Sequence, residues 1–184
     1  EETNVRAQLN ALLAPDAVIH MCHPFGNLKP DTFYDQCFAP LVKAMPDVER
    51  RDTIHVSGQT PEGDDWIGCC GSYVGTFAAP FLDIPPTGHL AHMRFHEFYR
   101  IVNGEVTEVQ AIWDIPELMM QANAWPMAPS LGREWHTPAP ITQDGLVDAT
   151  DSTDRSEACQ KHVLDMLTAL IHHPIEPVEA MELE

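Results

Sequence analysis

Three ionisable residues, Asp114, Glu97 and His20, lie where this chain could move protons. Asp114 directly follows a predicted strand, whereas Glu97 and His20 each lie within a strand. A carboxylate among apolar walls at the mouth of a sheet can have its pKa tuned for proton transfer near neutrality. We therefore predict Asp114 as a catalytic acid/base, with Glu97 as a second catalytic carboxylate and His20 as a hydrogen-bonding partner or proton shuttle.

Each of these three residues also has a structural alternative. Aspartate is favoured at helix N-caps, and a short helix is predicted directly after Asp114. Glu97 could instead be solvated or form a salt bridge with a neighbouring arginine, and His20 could be a core histidine with satisfied hydrogen bonds.

A predicted β-hairpin around Asn103-Gly104 positions the two carboxylates, since this dipeptide is typical of a type I′ turn. Counting outward from a two-residue loop pairs Asp114 with Met93. Because strand side chains alternate between faces, one face then carries two carboxylates, an amide and apolar walls. We predict that this face lines a substrate pocket, unless a bulge shifts the register; it carries Met93, Phe95, Glu97, Tyr99, Gln110, Ile112 and Asp114.

Aromatic residues supply further candidate contacts to a substrate. The hydroxyl groups of Tyr73 and Tyr99 could donate hydrogen bonds to a substrate carbonyl, and Trp66 could contact an apolar ligand. The alternative for all three is packing in the core or at an interface.

No metal site is predicted from the histidines. His92 and His96 are the most suggestive pair, but their segment has the pattern of a strand. Four residues along an extended chain separate two side chains by about 13 Å, which is too far for one metal ion.

Composition excludes several classes of partner. The 184 residues carry a net charge of −18, which argues against binding to nucleic acid or to an anionic membrane. The sequence contains neither an apolar run of about 20 residues nor a signal-peptide pattern. Five cysteines, two of them adjacent on a predicted strand, indicate reduced thiols and a cytoplasmic location.

The order of predicted elements is typical of an α+β fold in which a curved antiparallel sheet packs on helices. Asp31 is the predicted N-cap of the second helix, and Pro40 is predicted to kink it. Glycines at 68, 71 and 75 predict bending or bulges in their strand. In chain order we predict a helix over 1–13, a strand over 17–23, a helix to residue 45, strands over 48–58 and 66–77, the hairpin, and a helix over 116–124.

The region after residue 124 differs in composition. Residues 125–153 are rich in Pro and Gly and predict an extended linker or arm. Residues 154–184 comprise an amphipathic helix, with Val163, Met166, Leu167 and Leu170 on its apolar face, and an acidic tail.

Ordered short motifs over residues 10–122 together resemble the SnoaL-like polyketide cyclases, or ester cyclases, of the nuclear transport factor two-like superfamily. Tyr73 stands where many members have His, and Gln110 stands where an aromatic residue is frequent. The motifs are Pro15-Asp16 with His20, Pro46-Asp47, Gly63-Asp64, Gly71 and Gly75, Pro86-Thr87-Gly88, Arg100 with Gly104 and Glu108, and Asp114 with Gln121.

The resemblance implies a cone-shaped, cystatin-like α+β fold, usually a homodimer, with a pocket between sheet and helices. In cyclases of the family, the residue matching Asp114 is the general acid/base of an aldol-type ring closure that uses no metal or organic cofactor. We therefore expect a cofactor-free cyclase- or isomerase-type enzyme acting on a small apolar carbonyl compound. The alternative is a non-catalytic domain of the same fold that binds a small ligand or serves in assembly.

The resemblance also bears on domain organisation, because residues 1–124 form the SnoaL-like domain but lack the long helix that opens it in relatives. The helix at 154–171 could fill that place, within the chain or swapped between subunits. It could equally begin a second similar domain.

Overall fold

A computed structural model describes residues 2–128, 138–142, 144–146 and 153–172. The chain divides into two compact units, residues 1–147 and 148–184, which are treated separately below. None of the described helices is long and apolar enough to cross a membrane.

The first unit is built on a six-stranded sheet with the order β2-β1-β6-β5-β4-β3. Every neighbouring pair is antiparallel except β1 and β6, which run parallel, so the predicted α+β class is confirmed with a mixed sheet. The elements are α1 (Glu2–Leu12), β1 (Leu13–Met21), β2 (Asn27–Leu28), α2 (Pro30–Phe33), α3 (Ala39–Ala44), β3 (Glu49–Gln59), β4 (Asp65–Thr76), β5 (Leu90–Val102), β6 (Glu105–Trp113) and α4 (Ile115–Gln121).

β1 starts four residues earlier than the sequence predicts, at Leu13 rather than residue 17. The strand passes through Pro15, which has no N–H to donate to a neighbour. Pro15 is tolerated because β1 pairs with β2 only farther along, and because its pairing with β6 is irregular between Leu13 and Val18.

The second predicted helix is continuous but contains a π-helical turn, Tyr34–Phe38, between α2 and α3. Pro40 follows this turn after one residue, and it has no backbone N–H to donate to the preceding turn. The predicted cap is wrong, because Lys29 occupies the N-cap position and Asp31 lies in the first turn. The apolar residues at helical spacing in this segment, Phe33, Cys37, Leu41 and Met45, are all buried.

β4 and β3 approach closely at Gly71. A Cβ atom built there would lie 2.1 Å from the carbonyl oxygen of Arg51, so no larger residue fits without movement of the backbone. The register shift of this strand pair lies in β3, between Asp52 and Ile54, and not at the β4 glycines.

The hairpin forms as predicted at its turn but not along its length. Ile101 pairs with Val106, but the next pair is Arg100 with Glu108, so Thr107 is an extra residue. A one-residue shift moves every later side chain to the opposite face.

The predicted face is therefore wrong for the members that follow the bulge. Gln110 and Ile112 lie on the outer face of the sheet, with Arg94 and His96 on β5. The inner face, which packs on α2 and α3, instead combines Met93, Phe95, Glu97 and Tyr99 with Val109, Ala111 and Trp113.

The chain after α4 is described only in parts. A short 3₁₀ turn, Asp144–Leu146, packs against β3, where a Cβ on Gly145 would meet the Thr53 carbonyl oxygen at 2.5 Å. In the second unit, α5 (Thr153–His172) confirms the predicted helix, and its apolar residues are exposed. The predicted acidic tail lies outside the described residues, and the two alternatives for this region stay predictions.

Candidate active site

A buried carboxylate lies at the centre of the inner face. Glu97 is 2% exposed and accepts hydrogen bonds from four side chains on four neighbouring strands. Its Oε1 accepts from Tyr73 Oη and Trp113 Nε1, both at 2.9 Å. Its Oε2 accepts from Arg50 Nη1 and Tyr99 Oη, both at 2.5 Å. We call these five residues the Glu97 cluster.

The cluster explains how Glu97 can be buried. Removing a carboxylate from water is costly unless it is paired and its lone pairs are used. A carboxylate has about four acceptor positions, and the four donors around Glu97 match that number. The alternation of β3, β4, β5 and β6 directs all five side chains to the inner face, once the bulge at Thr107 is included.

Arg50 supplies the positive charge of the cluster. Its guanidinium lies 4.2 Å from the ring centre of Phe95 and also bonds Asp52, with Nη2 3.0 Å from Oδ1. Burial alone would lower the pKa of Arg50, but the hydrogen bonds it donates to Asp52 and the charge of Glu97 raise it above its ordinary value. Arg50 is therefore a fixed cation.

The two tyrosines of the cluster are fixed as donors. Burial raises the pKa of both Tyr73 and Tyr99, and the negative charge of Glu97 raises them further. Tyr73 is 4% exposed, whereas Tyr99 is only partly buried. Tyr99 is thus the more exposed of the two tyrosines.

Asp114 lies apart from this cluster, at the start of α4. Its Oδ1 accepts from the Glu117 backbone N–H at 3.0 Å, which makes it the helix N-cap. Its Oδ2 lies 2.7 Å from Nη2 of Arg94, an outer-face residue of β5. Asp114 is thus the N-cap of α4, which is the structural alternative to a catalytic role. Its catalytic role stays a prediction.

Near Asp114, side chains of α4 form ion pairs and hydrogen bonds with residues of β5. The buried Glu117 lies 3.1 Å from Arg94 Nε and 3.0 Å from His92 Nε2. Gln121 bonds both backbone groups of His92, accepting from its N–H at 3.0 Å and donating to its carbonyl at 2.7 Å.

The structure does not bring the three predicted catalytic residues together. His20 is exposed on the outer face, with Nδ1 2.8 Å from Asn27 Oδ1 and Nε2 3.9 Å from Glu108. Asp114 bonds outer-face Arg94, and only Glu97 lies within the core.

The residues predicted to contact substrate are also divided. Met93 and Phe95 are fully buried in the core, so they form packed interior rather than a free wall. Gln110 bonds Glu108 at 2.7 Å on the outer face, and Ile112 there is 64% exposed. The register places Trp66 on the outer face, while Tyr73 and Tyr99 belong to the Glu97 cluster.

Two surface pockets lie elsewhere, among the helices. One of about 660 Å³ is lined by residues of the π-turn and α3, and another of about 430 Å³ lies where α1 and α2 meet β1. Neither is lined by Glu97 or Asp114.

Sequence reasoning missed both Arg50 and Trp113 as site residues. Arg50 pairs with Tyr73 across β3 and β4, so the β3 alternation would have placed a cation beside that phenol. Trp113 could not be placed without the bulge at Thr107.

The fold and site define a curved-sheet α+β protein with a polar cluster buried between its sheet and helices. The sequence pattern of the SnoaL-like polyketide cyclases matches residues 2–122. The chain belongs to the SnoaL-like polyketide cyclase family.

Solved structures confirm the fold. AclR from Streptomyces galilaeus, a candidate hydroxylase, is 16% identical over 71% of this chain and 90% of its own, with a TM-score of 0.55. IdmH from Streptomyces antibioticus, a candidate polyketide cyclase, is 22% identical over 66% and 89%, with a TM-score of 0.56. TsrD from Streptomyces laurentii is 15% identical over 67% and 86%, with a TM-score of 0.55. No protein of curated function matches the chain.

Proposed function

We propose that this protein is a cofactor-free acid/base enzyme of the cyclase or isomerase type, acting on a small, mostly apolar carbonyl compound. The observation that supports this most strongly is the Glu97 cluster, in which a buried carboxylate accepts a hydrogen bond from Tyr99, a residue that is only partly buried. Family membership supports the same class of reaction.

In the proposed reaction, Tyr99 turns from Glu97 and donates its hydrogen bond to the substrate carbonyl. This exchange frees one acceptor position on Glu97 Oε2, which takes the proton from the carbon next to that carbonyl. The resulting enolate oxygen is stabilised by the Tyr99 hydrogen bond. The enolate carbon then attacks a second carbonyl of the same molecule, whose oxygen takes the proton back from Glu97. In an isomerisation, Glu97 instead returns the proton at another carbon.

Arg50, Tyr73 and Trp113 act as positioning residues in this scheme. Each donates to Glu97 at one fixed place, so the carboxylate needs no reorganisation when Tyr99 leaves it.

The test is proton exchange on a 1,3-diketone in D₂O, followed by NMR. We expect the wild-type protein to accelerate exchange, and Glu97→Gln to reduce the rate at least about 100-fold, as for loss of a general base. Asp114→Asn is the matched carboxylate control and should retain exchange. If Asp114→Asn loses exchange and Glu97→Gln keeps it, Asp114 is the acid/base, as the sequence predicts.

A second candidate is a non-catalytic domain that binds a small ligand or serves in assembly. The observation that favours it is that all four donors around Glu97 are already engaged, with Met93 and Phe95 packed beside them. Absence of exchange above the buffer rate with any of several diketones would favour this candidate.

We also propose a homodimer formed through the outer face of the sheet. This face exposes apolar side chains that a solvated sheet face ordinarily lacks, including Ile112 at 64% and Val56 at 52%. A second copy would cover them with the same surface, as two-fold symmetry requires. Ile112→Lys should yield a monomer by light scattering, whereas Ile141→Lys, at a residue 99% exposed outside the sheet, should not.

The thiols support a reducing, cytoplasmic location. All five cysteines are free, including the adjacent pair Cys69 and Cys70, whose side chains face opposite sides of β4. Cytoplasmic fractionation of the native protein tests this.

A further inference from the structure

A second group of chemically reactive side chains lies on the inner face of β3 and β4, beside the Glu97 cluster. It consists of Asp52, His55 and Cys69, whose oxygen, nitrogen and sulfur ligand atoms all lie within 4.8 Å of one another. We propose that these three residues bind Zn²⁺, with a fourth position left open to solvent.

The bulge in β3 creates this arrangement. Residues three apart on a regular strand face opposite sides, but the extra residue Thr53 returns Asp52 and His55 to the same face. Cys69 pairs directly with His55 across the two strands, so its side chain completes the group.

The distances are close to those of a tetrahedral site. Zinc–ligand bonds of about 2.0–2.3 Å imply ligand atoms about 3.3–3.8 Å apart at the tetrahedral angle. His55 Nε2 and Asp52 Oδ1 already lie 3.6 Å apart. The remaining contraction, from at most 4.8 Å, is within reach of side-chain rotation.

The donor set selects the kind of metal. A thiolate, an imidazole and a carboxylate favour Zn²⁺ or Co²⁺, whereas Mg²⁺ and Ca²⁺ prefer oxygen ligands alone. The thiolate and the carboxylate together balance the two charges of the ion. His55 has a side chain 50% exposed, which gives the metal a path from solvent.

Arg50 does not prevent binding, because its charge has another partner. It bonds the carboxylate of Asp52, but it also bonds the buried Glu97. A carboxylate has about four acceptor positions, so Asp52 can bind a metal through one lone pair and keep Arg50 on others. Ligating carboxylates in metal sites are commonly held by such hydrogen bonds.

This inference is independent of the proposed proton transfer, which uses Glu97 and Tyr99 and no metal. Its test is a Co²⁺ titration of the full chain, stripped with chelator and kept reduced by a phosphine. We expect one equivalent of Co²⁺ to produce the near-ultraviolet charge-transfer band of a cobalt–thiolate bond and the intense visible bands of tetrahedral cobalt. Zn²⁺ should then displace the cobalt and remove both.

Cys69→Ser and its control Cys70→Ser locate the site. His55→Gln tests the site separately if either cysteine variant folds poorly. Cys69→Ser should abolish the charge-transfer band. The matched control is Cys70→Ser, at the next residue on the opposite face, where the thiol lies 3.1 Å from His96 Nδ1. Cys70→Ser should leave the band and the stoichiometry unchanged. His55→Gln, at a half-exposed position, should weaken Co²⁺ binding about tenfold or more.

The proposal is overturned if the wild-type chain gives no thiolate band, or if Cys69→Ser retains it. Loss of the band in Cys70→Ser alone would place the metal on the other face and would equally overturn it. Proton exchange should be unchanged in Cys69→Ser, which separates failure of this proposal from failure of the proposed function.

Discussion

Arg50 and Glu97 lie on strands that are not neighbours, yet their side chains meet over β4, with Nη1 of the arginine 2.5 Å from Oε2 of the glutamate. The strand between them carries Gly71 at this level, directly opposite Phe95, and Arg50 packs over the Phe95 ring. The absent side chain at Gly71 leaves room for the Phe95 ring, which supports the arginine of this ion pair.

The first prediction concerns removal of that cation. Arg50→Met should reduce the free energy of unfolding by about 3 kcal/mol, because Glu97 is left buried without its charge partner. The value lies at the lower end for buried pairs because the Arg50 side chain is 33% exposed. Urea unfolding measures it, and the double variant Arg50→Met/Glu97→Gln should recover part of the loss.

Arg51→Met is the matched control. The described side-chain hydrogen bonds of Arg51 all go to Glu49, an exposed residue on the outer side of β3. It should change stability by less than about 0.5 kcal/mol. Equal losses in the two variants would contradict a special role for the Glu97 cluster.

The second prediction is alkaline destabilisation. The pKa values of Tyr73 and Tyr99 are raised above 10.0 in the folded protein, so the unfolded chain releases these protons first. Their contribution to stability is complete below about pH 10 and is lost as pH rises through the folded pKa values. Urea midpoints measured from pH 8 to 11 should therefore decline at the upper end.

Tyr99→Phe supplies the check on this assignment, because it removes one of the two titrating phenols. The decline with pH should be shallower in Tyr99→Phe than in the wild-type protein. An identical decline would assign the alkaline loss to other groups.

The third prediction concerns the close approach of β3 and β4. Gly71→Ala should destabilise the protein by about 3 kcal/mol, since the new methyl group would meet the Arg51 carbonyl oxygen at 2.1 Å and the backbone must move. Gly58→Ala is the control on the same strand pair, because nothing lies within 4 Å of its Cβ position. It should be neutral or gain about 0.5 kcal/mol. Thermal unfolding of the two variants distinguishes them.

The fourth prediction separates the two structural roles of Asp114. Asp114→Ala loses both the cap of α4 and the Arg94 ion pair, and should cost about 1–2 kcal/mol. Asp114→Asn keeps an oxygen for the Glu117 N–H and should recover most of that loss, because partly exposed ion pairs contribute little. If urea unfolding finds Asp114→Asn as unstable as Asp114→Ala, the ion pair rather than the cap is the main contribution.

The fold was predictable because its signals are local. Asn103-Gly104 identifies the hairpin turn, and the spacing of Phe33, Cys37 and Leu41 identifies the buried helix face. Turn chemistry and periodicity both act within a few residues, so a single sequence carries them.

The site was less predictable because it depends on register. One extra residue, Thr107, changed which side chains accompany Glu97, replacing Gln110 and Ile112 with Trp113. A bulge has no reliable signature in the sequence. Its effect on the predicted face is nevertheless large, because every side chain after the bulge exchanges faces. Arg50 was missed for a related reason, since its partner Glu97 lies two strands away in the sheet.

The Glu97 cluster has a consequence for how this sequence can diverge. Four consecutive strands each contribute at least one member. The other four residues all donate hydrogen bonds to the Glu97 carboxylate. Replacing any one of them leaves a buried polar group unpaired, so no order of single substitutions dismantles the cluster without a destabilised intermediate. Homologous sequences should therefore either retain all five residues or lack all five, namely Arg50, Tyr73, Glu97, Tyr99 and Trp113.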